Sequence, residues 1–125
     1  MGLVRLFLPL VVTTAALPAA SQDWSYGNDF YASCREAVAP TARSADWAGT
    51  TCLAYAKGLH DTAVFMSGRI RPEVCPPDGV SIIQHYDILL KYLKDNPDQR
   101  HKPTAELLWE ADSKAFPCPW GPSRR

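Results

Sequence analysis

Apolar positions along this chain recur at helical spacing, and no run alternates at period two for long enough to make a strand. Phe30, Cys34, Ala37 and Val38 form the stripe of a first helix, which Asn28 can cap and Pro40 stops. A short Ser/Thr/Ala/Arg connector follows. Ser44 or Asp46 can then cap a second helix over about 47–66, with Cys52, Ala56, Leu59 and Ala63 along one face. Trp47, Tyr55 and Val64 flank that face. Gly49 and Gly58 inside this helix cost about 1 kcal/mol each relative to Ala, so both predict close approach to a neighbouring helix.

Residues 67–79 carry Gly68, Pro72, Pro76, Pro77 and Gly79 and read as one long loop, a length often kept for function. Ser81 and Gln84 have the spacing of a capping box. Ile82, Tyr86, Leu89, Leu90 and Leu93 follow it as the strongest periodic signal in the chain, and Asn96-Pro97 ends that third helix. A fourth helix begins between Asp98 and Thr104, because Pro103 is tolerated only in a first turn. Its predicted face runs through Ala105, Leu108, Ala111 or Asp112, and Ala115, and the segment 116–119 terminates it. The fold class expected is all-α, a small bundle of four main helices.

The N-terminus changes the picture. A short basic start to Arg5, a mostly apolar stretch from Leu6 and a small-residue site at Ala19-Ala20-Ser21 have the layout of a secretory signal peptide. The apolar stretch is too short to span a bilayer comfortably. The expected organisation is a signal peptide over 1–21, cleaved near Ser21, a polar leader over 22–27, an all-helical domain over 28–118 and a tail over 119–125. Periplasmic localisation follows, with no membrane insertion once the signal is removed.

The whole chain holds 13 Lys+Arg against 13 Asp+Glu, and loss of Arg5 leaves 12 against 13, a net charge of −1. No basic excess marks a nucleic-acid binder. All four cysteines lie beyond the signal segment, and an even count in a small exported chain reads as two disulfides. If the first two helices form a hairpin about their short connector, Cys34 and Cys52 sit at matching heights, within about 6–9 Å of the connector along each helix. A second hairpin brings Cys118 back to the start of the third helix, beside Cys75. The pairs expected are Cys34–Cys52 and Cys75–Cys118.

No nucleophile elbow, phosphate-binding loop or zinc-protease motif is present, so no catalytic residue is assigned and the protein is read as a non-enzyme. His60 and Asp61 are the best local acid–base pair, but adjacent helix positions do not face each other. His85 and His101 read as surface or helix-end residues. With no Cys-x-x-Cys and no His-x-x-x-His, neither a metal site nor a cofactor is expected.

Cys52, Tyr55, Gly58 and Asp61 at fixed spacing, Cys75-Pro-Pro leading to Ser81, and the terminal Phe116-Pro-Cys118 resemble the Rap/Tai family of small periplasmic immunity proteins. The resemblance covers nearly all of the mature chain. It implies an all-helical exported protein, often a homodimer, with Tyr55, Gly58, Asp61 and Phe116 as structural motif residues. Members of known role bind and block peptidoglycan amidase effectors delivered by type VI secretion, so such an amidase is the partner expected. The long loop, with Arg69, Ile70, Arg71 and Glu73, is the expected contact surface, since a loop held at its ends loses less entropy on binding. The alternative is a periplasmic helical chaperone or stress protein of the acid-stress type. It needs pH-driven exposure of apolar surface, a question that three His and 13 carboxylates leave open.

Overall fold

A helix starts where the chain can satisfy its first orphan amides, and here the four starts are solved in different ways. The computed structural model describes residues 23–37, 46–67 and 74–119. The described helices are α1 (Gly27–Cys34), α2 (Trp47–Ser67), α3 (Ile82–Asp95) and α4 (Thr104–Ala115), with a 3-10 turn over Pro97–Gln99. Among the described residues there is no strand, only isolated bridges between Tyr26 and Pro103 and between Val74 and Pro117. The signal-peptide and cleavage-site expectations fall outside the described residues.

Two starts are local. Ser81 is extended, and its Oγ accepts the Gln84 N–H at 3.2 Å, the Ser81 half of the predicted capping box. Asp46 rather than Ser44 opens α2, its Oδ1 accepting from the Ala48 N–H and its carbonyl from the Thr50 N–H.

The other two starts serve each other. The Gly27 and Asn28 N–H groups donate to the carbonyls of Lys102 and Arg100, at 3.0 and 2.8 Å. In return the Thr104 N–H donates to the Ser25 carbonyl at 2.7 Å, and the Thr104 Oγ1 hydroxyl to the Trp24 carbonyl at 2.6 Å. These tertiary bonds replace the cap expected of Asn28, so α1 begins two residues earlier, at Gly27, with Tyr26 in the cap position. A Cβ at Gly27 would run into the Leu107 side chain and stand 3.0 Å from the Arg100 carbonyl, so this crossing requires glycine. Residues 23–26 are therefore no mere polar leader: Trp24 is buried, its ring edge-on to Phe30 and Tyr55.

Other departures are smaller. Helix α1 stops at Cys34, where an Ala37 N–H bond to the Cys34 carbonyl closes a turn, and Val38 lies outside the described residues. Gly58 has nothing within 4 Å of a notional Cβ, and close helix approach does not explain it, although Gly49 is buried. Trp47, expected at the flank of α2, is 83% exposed. Helix α4 buries Thr104, Leu107, Leu108, Ala111 and Asp112 and leaves Ala105 and Ala115 outside. A leucine returns about 1.5–3 kcal/mol on burial and an alanine far less, so Leu107 sets the rotation of the helix.

The core joins Phe30, Cys34, Cys52, Ala56, Tyr86, Leu89, Leu93, Leu107 and Leu108 from all four helices. Cys34–Cys52 ties α1 to α2 and Cys75–Cys118 closes the α3–α4 pair, with Cα separations of 5.8 and 5.0 Å. Both pairings are those expected from hairpin geometry. No described helix is long and apolar enough to cross a membrane.

Candidate functional site

Helices α2, α3 and α4 bring three polar side chains together that the sequence keeps far apart. His85 from α3 is buried, and its Nδ1 stands 2.9 Å from Oδ1 of the equally buried Asp112 on α4. His60 from α2 lays its ring against that of His85, with centroids 4.3 Å apart. One ligand atom from each residue lies within 4.8 Å of the others. His85 lies in the first turn of α3, as a helix-end residue would, but it is buried and not at the surface. His101 is exposed, its Nδ1 2.8 Å from the Asp98 carbonyl oxygen.

Apolar side chains pack around the pair. Phe116 packs edge-on against His85 at 5.5 Å. A cavity of about 50 Å³ opens beside the cluster, lined by Ala63, Val64, Ser67, Val74, Pro76, Leu108 and Trp109 as well as the three polar residues. That is room for a few water molecules. A carboxylate oxygen accepts, so in the Asp112–His85 hydrogen bond the His85 Nδ1–H is the donor. Chemically the group is a buried acid–base pair extended by a second imidazole.

Residues singled out from the sequence fall into separate roles. The Tyr55 hydroxyl donates to the Trp24 carbonyl at 2.9 Å and its ring packs on Phe30, which makes it a strut between α2 and the N-terminal segment. Asp61 pairs with Lys57 at 2.5 Å, and this bond to the ammonium holds its carboxyl below the usual range. Asp61 Oδ1 is 3.7 Å from His60 Nδ1, outside hydrogen-bond range, so it is Asp112 and not Asp61 that completes the histidine cluster. The Phe116 carbonyl accepts the Cys75 N–H at 2.8 Å. Arg69, Ile70, Arg71 and Glu73 lie outside the described residues, but both flanks of their segment are described. Ser67 ends α2, while Val74 and Cys75 are fixed by the bridge to Pro117 and the disulfide to Cys118. The exposed side chains Val64, Phe65 and Met66 lead into the first flank.

A second polar group joins α3 to α4. Glu110 accepts from Lys102 at 2.6 Å and from the Tyr92 hydroxyl at 2.6 Å. Lys102 first, then Tyr92, holds the Glu110 carboxyl below its ordinary value. Burial, reinforced by Glu110, pushes the Tyr92 hydroxyl up. These groups are mutually satisfied and exert their effect on stability.

Neither curated proteins nor solved structures show a significant match to the chain. The Rap1a immunity proteins match residues 26–118, a span that takes in all four helices, both disulfides and the His60–His85–Asp112 cluster. A match over well more than half of the sequence places this chain in the Rap1a immunity protein family.

Proposed function

We propose that the protein binds and inhibits a secreted cell-wall amidase effector of type VI secretion, acting in the periplasm and without catalysis of its own. The observation that supports this most is the bracketed segment between Ser67 and Val74. One end is the terminus of a long helix and the other is bonded to the 116–118 segment by backbone and disulfide. Such bracketing limits the ordering cost of binding. The run Val64–Met66 beside it adds exposed apolar surface, Phe65 being 59% exposed, and aromatic and methionine side chains are enriched where proteins meet. Arg69 and Arg71 supply the residue type most often found at binding hot spots.

Replacing both arginines with alanine should weaken binding to a cognate amidase by about 2 kcal/mol or more and leave helical content unchanged. The measurement is titration of the purified pair, together with protection of cells producing the amidase in the periplasm. Parental binding by the double variant, or a complex with the amidase docked away from this segment, would sink the reading. Protection of unrelated clients at low pH with no amidase bound would favour the acid-stress chaperone instead.

A further inference from the structure

We propose that His60, His85 and Asp112 form a binding site for a divalent transition-metal ion of the zinc class. The donor set is two imidazoles and one carboxylate, the nitrogen-and-oxygen combination that suits zinc and its neighbours rather than calcium or magnesium. Three protein ligands with a fourth position open to water is a recurrent zinc arrangement, and the adjoining cavity of about 50 Å³ has space for that water.

Geometry supports the assignment. A zinc ion about 2.0–2.1 Å from each ligand atom holds tetrahedral ligands about 3.3 Å apart. His85 Nδ1 and Asp112 Oδ1 are already 2.9 Å apart, and all three ligand atoms lie within 4.8 Å, so small side-chain shifts complete the sphere. His85 and Asp112 sit on the packed helices α3 and α4 with side chains 5% and 6% exposed, a preformed half-site. His60 is the most open of the three at 22%, which leaves a path for the ion to enter. The ion takes the place of the proton that His85 and Asp112 share, and its charge offsets the buried carboxylate. Among the described residues no cysteine is free, so thiolates do not compete for the metal. The bound ion would clamp α2 to the α3–α4 pair beside the cavity that Ser67 and Val74 also line.

The test uses the full-length mature chain, oxidised, untagged and stripped with chelator. It is titrated with Zn²⁺ by calorimetry and with Co²⁺ by visible absorption. One equivalent should bind, with the absorption bands of low-coordinate Co²⁺ and a higher melting temperature. His60→Ala removes the most exposed ligand, so its fold is expected to survive, as circular dichroism without metal will show. It should lower affinity at least about tenfold. His101→Ala, at an exposed histidine outside the cluster, should bind as the parent does. Absence of saturable binding at one equivalent would overturn the proposal, as would unchanged affinity in a folded His60→Ala protein.

Discussion

At the scale of single residues, two glycines make opposite demands. A side chain at Gly27 has nowhere to go, since it meets Leu107 and the Arg100 backbone, whereas one at Gly58 meets nothing. Gly27→Ala should therefore cost about 1–3 kcal/mol through overpacking. Gly58→Ala, in the middle of α2, should gain about 0.5–1 kcal/mol by removing backbone freedom from the unfolded chain. Denaturant melts of the two variants beside the parent check both signs. Glu110 carries a second residue-level consequence. Its folded-state carboxyl lies below the ordinary value of about 4.5 because Lys102 and Tyr92 hold the charged form. The stability it contributes is fully present above that ordinary value and is lost as pH falls through the lower folded-state one. Glu110→Gln should thus lower stability at neutral pH and flatten its decline on acidification, as melts between pH 7 and 3 will show.

At the scale of elements, the reading from sequence succeeded where one physical rule decided the outcome. The α3 stripe and its Ser81 cap were legible because periodicity and local hydrogen bonding agree there. The α1 start was not, since its partners Arg100 and Lys102 lie some seventy residues away and leave no local mark. The α4 face was right at Leu108, Ala111 and Asp112 but misplaced at Ala105 and Ala115, because alanines at helical spacing imitate a core stripe without the burial energy of Leu107. The histidine cluster was invisible for a different reason. His60, His85 and Asp112 sit on three helices, and metal motifs are recognisable by spacing only when ligands share an element or a loop. His85 was read as a surface or helix-end residue, and Asp112 was already a candidate inward position but had no known partner. The four cysteines were readable because short connectors make pairing a problem of height along a hairpin.

For the molecule as a whole, the exchange of bonds between the 24–28 and 100–104 segments joins the start of the domain to its last helix. Trp24 is the side chain that seals this junction, covering Phe30 and Tyr55. Trp24→Ala should cost about 3–5 kcal/mol, the usual range for a buried tryptophan. A chain shortened to begin at Asn28 would also lose the carbonyls that serve Thr104, and should melt earlier still. Thermal melts of both variants decide it: a truncated chain as stable as the parent would show the junction to be ornamental.

The two disulfides close spans of 18 and 43 residues. Closure of loops that long stabilises a fold by roughly 3 and 4 kcal/mol. Domains of this size have total stabilities of about 5–15 kcal/mol, so a newly made chain with four thiols stands near the threshold of folding at all. Refolding in a thiol reductant should yield a weakly cooperative, protease-sensitive chain, and refolding with an oxidant the native one. Under the proposed periplasmic role, a chain built this way would stay loose enough to be threaded through a translocation channel and would acquire its shape on the far side. In the proposed role the cysteine pairs would act as a compartment lock, leaving the chain inert while its thiols are reduced and competent once both bonds have closed.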